Sequence, residues 1–241
     1  MTAGFSLLVH GQSKSGKSTL ADTAPAPRLV LDAEGGASTR FTPSRKIVWN
    51  PGTDAPPKAD GTWDTCVVYV RSFNDVKQTY DWLNAGKHDF NSVIIDSLSE
   101  TQQRCVDALV GTEQMKMQDW GELLRKMSTL VRSYRDLIIH PTKPVQCVAF
   151  IAMTKDVEGV KKPYVQGALA QTLPYYVDVI GYLHGEVTAD GEQVHKLLCS
   201  PHASFEAGDR TGRLGTVVEE PNIEAMLATI YGTTKTAQAD N

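Results

Sequence analysis

Short apolar runs of strand length recur along the first 152 residues of the chain. Most of them are separated by stretches whose apolar residues recur with helical periodicity. The predicted strands are residues 5–9, 28–32, 67–70, 92–96 and 145–152, and the predicted helices are residues 18–22, 74–85, 98–110 and 120–137. Asp119 is the expected N-cap of the last of these helices. Strands that alternate with helices predict an α/β fold with a mostly parallel sheet flanked by helices.

The pattern changes beyond about residue 165. Residues 176–186 and 194–199 flank Asp190-Gly191, a pair typical of tight hairpin turns, so antiparallel strands should extend the sheet towards the C-terminus. A last helix is expected, with Pro221 at its start and Gly232 past its end. The polar residues 233–241 are expected to form a disordered tail. Residues 43–64, with four of the twelve prolines, predict an irregular surface excursion within one domain of residues 1–232.

The composition is that of a globular protein and does not identify a binding partner. The chain is 41% hydrophobic and 22% charged, as expected for a globular protein, and carries a net charge of −4. Any contact with DNA must therefore be local. The four cysteines lack zinc-ligand or disulfide-framework spacing and are expected to be reduced and buried. No apolar run approaches the roughly 20 residues that span a bilayer, so we expect a cytoplasmic protein without membrane contact.

Residues 11–18 carry the clearest chemical signal. They read Gly-Gln-Ser-Lys-Ser-Gly-Lys-Ser and fit G-x-x-x-x-G-K-[ST] at every fixed position, directly after a strand and opening a helix. Backbone N–H groups of such a loop surround phosphates, with the helix N-terminus adding its positive dipole end. We expect ATP here, with Lys17 at the β- and γ-phosphates and Ser18 on Mg²⁺. The expected nucleotide-binding residues are Gly11, Gln12, Ser13, Lys14, Ser15, Gly16, Lys17, Ser18 and Thr19.

Two carboxylates follow the ends of predicted strands. Asp96 ends the run Ser-Val-Ile-Ile-Asp, where a P-loop protein needs an acid to hold the water shell of its metal. Asp96 could also cap the helix that follows, and the two roles are compatible. Glu34 lies just past the second strand, at the sheet edge where ligands of open α/β sheets bind. We expect Glu34 to orient or deprotonate the attacking water, the alternative being a solvated loop glutamate.

The loop 11–18, the run Asp32-Ala33-Glu34 and the run Ile94-Ile95-Asp96-Ser97 resemble the RecA recombinase core in order and spacing. The fuller resemblance, over roughly residues 5–215, is to small phage RecA-like ATPases of the Sak type. These are single-strand-annealing proteins in which a Glu-Gly-Gly run follows the second strand, as it does at residues 34–36. The resemblance implies a RecA-like P-loop NTPase fold in which Glu34 activates water. For a phage-encoded protein it also implies the host cytoplasm.

The resemblance implies roles for two further residues. Thr154 follows a predicted strand where RecA carries a polar sensor of the γ-phosphate, although RecA has glutamine there. Residues 208–212 resemble the K-x-R-x-G segment through which related hexameric ATPases insert a lysine and an arginine into the neighbouring subunit's site. Gly208 replaces the lysine, so only Arg210 carries over, as a catalytic cation acting in trans within a ring or filament. By its residues alone, Arg210 could be a solvated arginine in a Gly-rich turn.

RecA-like proteins bind single strands through two loops, which correspond here to residues 111–118 and 155–167. The second loop combines cations with an aromatic ring, as a surface that tracks a backbone and stacks bases would. Its expected DNA-binding residues are Lys155, Lys161, Lys162 and Tyr164. Because Asp156 and Glu158 lie among them, a β-hairpin with a charged tip is the alternative.

The leading hypothesis is a DNA-stimulated ATPase that acts on single-stranded DNA in phage recombination, annealing or repair, with a single-strand-binding protein as companion. The alternative is a replication motor or helicase-loader-type ATPase that acts on a protein partner. A GTPase switch fails on spacing, because Asp32 follows Lys17 by only 15 residues. A small-molecule kinase would need an arginine-rich lid, for which Arg125, Arg132 and Arg135 on one predicted helix are the candidates.

Overall fold

A ten-stranded sheet forms the centre of the computed structural model, which describes residues 4–40 and 43–232. The strands of the protein are β1 (Phe5–His10), β2 (Arg28–Asp32), β3 (Lys46–Val48), β4 (Thr65–Tyr69), β5 (Ser92–Asp96), β6 (Cys147–Ala152), β7 (Thr154–Val157), β8 (Val160–Pro163), β9 (Val179–Val187), β10 (Gln193–Leu198), β11 (Gly208–Asp209) and β12 (Val217–Glu219). The helices are α1 (Lys17–Ala21), α2 (Ala37–Arg40), α3 (Phe73–Asn84), α4 (Leu98–Val110), α5 (Met117–Asp136), α6 (Leu169–Thr172) and α7 (Ile223–Tyr231).

The strand order is β12-β10-β9-β1-β6-β5-β2-β4-β3, with β11 beside β9. Strands β9 to β3 in this order run parallel, whereas β10 and β11 are antiparallel to β9, and β12 is antiparallel to β10. Strands β7 and β8 form a separate hairpin. This topology confirms the predicted α/β fold with a mostly parallel sheet and antiparallel strands towards the C-terminus.

Two apolar cores cover the two faces of the sheet. Alternate strand residues such as Leu8 and Leu29 pack with α3, α4 and α5, while their neighbours Leu7 and Val30 pack with α1 and α7. Because both faces of the central strands are buried, these strands are apolar throughout rather than alternating with polar residues. That is why their sequences stand out as continuous runs.

The excursion at residues 43–64 holds more regular structure than its sequence indicates. Strand β3 pairs in parallel with β4 at the sheet edge. Trp49 and Trp63 are buried, and their rings lie 6.2 and 6.1 Å from the ring of Phe90. The segment is therefore irregular only in part, and its two tryptophans anchor it to the core. The predicted tail at residues 233–241 lies outside the described residues.

The starts of two helices differ from the sequence-based expectation. Helix α5 begins at Met117, and Asp119 accepts a hydrogen bond from the backbone N–H of Lys116 at 2.7 Å instead of serving as N-cap. Helix α7 follows Asn222, whose side chain accepts from the backbone N–H of Ala225 at 3.0 Å. In both helices a side chain satisfies an N-terminal backbone group. Helix α5 begins three residues before its expected start, and α7 begins two residues after its expected start.

The cysteines are buried, free thiols: Cys66, Cys105, Cys147 and Cys199. Within residues 4–40 and 43–232, no helix combines the length and apolarity needed to cross a membrane.

Candidate nucleotide-binding site

The loop between β1 and α1 requires glycine at both of its fixed positions. A Cβ on Gly11 would lie 2.3 Å from the carbonyl oxygen of Leu183, because β9 passes directly beside the loop. Gly16 has φ 89° and ψ 10°, a left-handed conformation, and precedes the first residue of α1. Only glycine adopts this conformation without steric cost. The loop is thus restricted at its start, where the backbone of β9 packs against Gly11, and at its end, where Gly16 is left-handed.

Lys17 folds back over this loop. Its Nζ donates hydrogen bonds to the carbonyl oxygens of Gly11 at 2.9 Å and Gln12 at 2.6 Å. Burial lowers the pKa of Lys17, and the negative charges of Glu34 and Asp96 oppose that shift. The ammonium group therefore lies between loop carbonyls and within the field of two carboxylates.

A cleft of about 470 Å³ opens above the loop at the carboxyl ends of the parallel strands. Open α/β sheets bind ligands at this edge. The cleft brings together almost all of the expected catalytic and nucleotide-binding residues: Gly11, Gln12, Ser13, Lys14, Gly16, Lys17, Ser18, Thr19, Glu34, Asp96 and Thr154. Ser15 is buried within the loop itself. Arg210 is the one expected catalytic residue that does not line this cleft.

Glu34 is presented to the cleft by a turn that Asp32 organises. The Asp32 carboxylate accepts hydrogen bonds from the backbone N–H groups of Gly35 at 2.8 Å and Ala37 at 2.9 Å. Ser97, the N-cap of α4, donates from its hydroxyl to Oε1 of Glu34 at 2.5 Å. The supporting roles of Asp32 and Ser97 are not evident from the sequence alone. An acid ending β2 and a serine after Asp96 were the available signals.

Asp96 is buried at the end of β5 and forms an ion pair with Arg40. Nη1 of Arg40 lies 2.7 Å from Oδ2 of Asp96, and Nε lies 2.9 Å from Oδ2 of Asp22. Burial raises the pKa of Asp22 to about 7, with Arg40 and Arg28 opposing the shift. Neither Arg40 nor Asp22 was predicted to belong to the site, because no motif marks them.

The oxygen donors in the cleft fit Mg²⁺. Ser18 offers a hydroxyl and Asp96 a carboxylate, and hard oxygen ligands are those that Mg²⁺ prefers. Among the described residues there is no cluster of three or more His, Cys, Asp or Glu side chains that could hold a metal ion. This donor set suits a metal held jointly by a few protein oxygens and by substrate phosphates, as is usual for Mg²⁺.

Thr154 is hydrogen-bonded to His10, a residue to which sequence analysis assigned no role. Nε2 of His10 lies 2.7 Å from the carbonyl oxygen of Glu206, which can only accept, so Nε2 carries the hydrogen. Nδ1 must then accept from the hydroxyl of Thr154, 2.8 Å away. Burial lowers the pKa of His10 to about 4, which keeps the ring neutral. The hydroxyl hydrogen of Thr154 is thus directed at His10 rather than into the cleft.

The three arginines that were candidates for a kinase lid do not line the nucleotide cleft. Arg125 and Arg135 pair with their α5 neighbours Glu122 and Asp136, and the Arg132 guanidinium lies 5.8 Å from the ring centre of Tyr176. These contacts with neighbouring side chains and with Tyr176 are typical of arginines on a helix at the protein surface.

The segment with the expected DNA-binding residues is the β7–β8 hairpin, and β7 begins at the cleft residue Thr154. Lys161 pairs with Asp156 at 3.3 Å. Lys155 and Lys162 are partners in strand register and line a second cleft, of about 490 Å³, between the hairpin and α6. Nζ of Lys155 lies 5.8 Å from the ring centre of Tyr164, which is 41% exposed.

Arg210 lies far from the cleft of its own chain. Its guanidinium donates to Oδ1 of Asp178 at 3.3 Å and to the carbonyl oxygen of Tyr175 at 2.9 Å. Asp178 in turn accepts from the backbone N–H of Ser6, near the start of β1, whereas the phosphate loop follows the end of that strand. The five residues of strand from Ser6 to the start of the phosphate loop correspond to a distance of about 16 Å.

The fold and this cleft define a P-loop nucleoside triphosphatase. A family model described as an AAA domain matches residues 3–211, so the chain belongs to that family of P-loop ATPases. Family membership supports ATP binding and hydrolysis, the general activity predicted from the phosphate loop. No curated protein matches the chain.

Proposed function

We propose that this protein is an oligomeric, Mg²⁺-dependent RecA-like ATPase that acts on single-stranded DNA in phage recombination, annealing or repair. The observation that carries the proposal is the position of the β7–β8 hairpin. Its first residue, Thr154, lines the nucleotide cleft, and the next residue, Lys155, lines the lysine-bearing cleft beside it. Adjacent residues thus connect the nucleotide cleft to a cleft that holds two lysines and Glu206. ATP would control the affinity for DNA through this junction.

The proposed chemistry follows from the residues that face the cleft. Lys17 would bind the β- and γ-phosphates, and Ser18 and Asp96 would hold Mg²⁺, which neutralises phosphate charge when bound. Glu34 would orient or deprotonate water, with its carboxylate fixed by the hydroxyl of Ser97 at 2.5 Å. Thr154 remains the proposed sensor of the γ-phosphate. It would act through its oxygen or by redirecting the hydroxyl hydrogen that now points to His10.

DNA binding is proposed at the hairpin. Lys155 and Lys162 would contact phosphates, and Tyr164 offers a partly exposed ring for base stacking. Lys161 would contribute less, because Asp156 already neutralises its charge at 3.3 Å. A single-strand-binding protein is the proposed companion, as the likeness to annealing proteins suggests.

Arg210 is proposed to act in trans. It lies at the opposite end of β1 and β9 from its own phosphate loop, so it would stabilise the transition state only in a neighbouring subunit's cleft. The Arg210 side chain is 57% exposed and so accessible to a second copy. A ring or a filament would satisfy this requirement.

Steady-state ATP turnover with and without single-stranded DNA tests the proposal. Wild type is compared with Lys17→Ala, Glu34→Gln and Arg210→Ala while light scattering follows oligomer size. We expect DNA-stimulated turnover that is lost in all three variants, with Glu34→Gln still binding ATP. Mixing Arg210→Ala with Lys17→Ala should restore partial activity, because a mixed oligomer contains interfaces with both residues intact.

Two outcomes would contradict the proposal. Turnover that ignores DNA would remove the DNA function and favour a motor or loader that acts on a protein partner. Activity that stays absent in the mixed Arg210→Ala and Lys17→Ala sample, despite mixed oligomers, would remove the role in trans.

A further inference from the structure

Arg40 links three segments of the nucleotide site. It is the last residue of α2, which follows the Glu34 turn directly. One side of its guanidinium contacts Asp96 at the end of β5, and the other contacts Asp22 at the end of α1. All three side chains are largely buried, with 16, 5 and 19% of the Arg40, Asp96 and Asp22 side chains exposed.

The geometry constrains the Asp96 carboxylate. Arg40 contacts Oδ2 at 2.7 Å, which leaves Oδ1 for other ligands. A buried, charge-assisted contact of this length fixes the orientation of a carboxylate. Because Asp22 shares the charge of Arg40, the cation is held between two acids rather than directed at one.

We propose that Arg40 is a positioning residue for the divalent metal: it holds the Asp96 carboxylate in a fixed orientation, and so raises the affinity of the site for that metal. The inference rests on the proposed role of Asp96 as the metal-binding carboxylate. Preorganised ligands bind more tightly because less freedom is lost on binding. The opposite possibility is that Arg40 competes with the metal for Asp96. The two predict opposite changes in metal affinity when Arg40 is removed.

The test measures Mn²⁺ binding to the ADP complex by electron paramagnetic resonance, independently of turnover. Arg40→Gln removes the charge, Arg40→Lys keeps it without the guanidinium fork, and Asp96→Asn removes the metal carboxylate. Arg45→Gln is the matched control, because Arg45 pairs with Asp64 through an exposed ion pair whose residues do not line the cleft. Binding of ADP in EDTA and the thermal midpoint are measured in parallel.

We expect Arg40→Gln to raise the Mn²⁺ dissociation constant about tenfold, with Arg40→Lys intermediate and Arg45→Gln unchanged. ADP affinity in EDTA should stay within about twofold of wild type, because the proposed contact acts on the metal site. Should Arg40→Gln not fold, Arg40→Lys carries the test. A smaller loss of Mn²⁺ affinity is then expected, because lysine keeps the charge but lacks the guanidinium fork that contacts both Asp96 and Asp22.

The remaining outcomes separate the two proposals. Unchanged Mn²⁺ affinity in Asp96→Asn would remove the proposed metal role of Asp96 itself. Weakened binding in Asp96→Asn together with unchanged or tighter binding in Arg40→Gln would overturn the positioning role of Arg40 alone. Tighter binding would identify Arg40 as a competitor of the metal.

Discussion

His195 occupies the space where a side chain at Gly16 would begin. A Cβ on Gly16 would lie 3.0 Å from Cε1 and 3.2 Å from Nδ1 of His195. Strand β10 is fixed at this point because the backbone N–H of His195 donates to Oε1 of Glu220 at 2.8 Å. The φ of 89° at Gly16 favours glycine, and a Cβ there would in addition force the His195 ring to shift by a few tenths of an ångström.

Gly16→Ala is therefore expected to impair the phosphate loop. The left-handed conformation alone costs about 1–2 kcal/mol for a residue with a Cβ, and His195 must also move. We expect ATP to bind at least about tenfold more weakly, as measured by fluorescence titration. Gly191→Ala is the control, because Gly191 has φ 82° but no atom within 4 Å of its Cβ position. Equal effects of both variants on ATP binding would exclude a specific role for the Gly16 contact.

Ser97→Ala is expected to slow hydrolysis without weakening ATP binding. The variant removes the hydroxyl that fixes Glu34, and we expect kcat to fall about tenfold, a fraction of what a general base contributes. Because Ser97 also caps α4, the free energy of unfolding should fall by about 1 kcal/mol. Measurements of kcat, ATP affinity and urea unfolding separate these effects.

The two roles of Ser97 can be separated because α7 has a comparable cap. Asn222→Ala removes an N-cap from α7, far from Glu34 in the sequence, and should reduce stability similarly with kcat unchanged. A fall in kcat in Asn222→Ala that matches Ser97→Ala would attribute the effect to stability rather than to Glu34. Ser97→Thr, which retains a hydroxyl, should recover part of the lost rate.

The sequence predicts those site residues that are marked by local pattern. Gly11 and Gly16 belong to a contiguous motif, and Glu34 and Asp96 each follow a strand of a parallel sheet. Because the carboxyl ends of parallel strands share one edge, recognising the strands is enough to bring these side chains together. The sheet topology confirms the predicted fold and family membership confirms the ATPase class, whereas the roles of these site residues stay predictions.

Contacts between distant segments cannot be predicted in the same way. Arg40 and Asp96 are 56 positions apart, and His10 and Thr154 are 144 positions apart. Each pair depends on which strands become neighbours and on side-chain direction, neither of which local periodicity records. Strand β3 was missed for a related reason. It is three residues long, and tertiary packing of the surrounding excursion overrides weak local preference.

His10 should make stability depend on pH in the acidic range. Its folded pKa, about 4, is below its ordinary value of 6.5, so the unfolded chain binds a proton first as pH falls. The stabilisation by neutral His10 is present above pH 6.5 and is lost between pH 6.5 and about 4. The difference between the unfolded and folded pKa values corresponds to a change of about 3 kcal/mol in the free energy of unfolding for this buried ring.

Urea unfolding of wild type and His10→Gln over this range provides the test. The stability difference between the two proteins should shrink by up to about 3 kcal/mol from pH 7 to pH 4. His88→Gln is a useful comparison, because burial lowers the pKa of His88 to about 4 as well, at a position away from the cleft. A wild-type advantage over His10→Gln that does not change with pH would contradict a buried, neutral His10.

The hairpin lysines should differ in their contribution to DNA binding, although sequence alone makes them equivalent. Strand register places Asp156 opposite Lys161, and the ion pair at 3.3 Å already satisfies that lysine. Lys155 and Lys162 are partners in register and share the second cleft with Glu206, so that cleft holds two lysines and one carboxylate. Lys155→Ala and Lys162→Ala should each weaken single-stranded DNA binding and lower the salt slope by about 0.7, and Lys161→Ala should change both less. Fluorescence anisotropy with a labelled oligonucleotide at several salt concentrations measures both quantities. If Lys161→Ala has the largest effect, DNA breaks the Asp156 pair on binding, and the proposed contact surface moves to the other face of the hairpin.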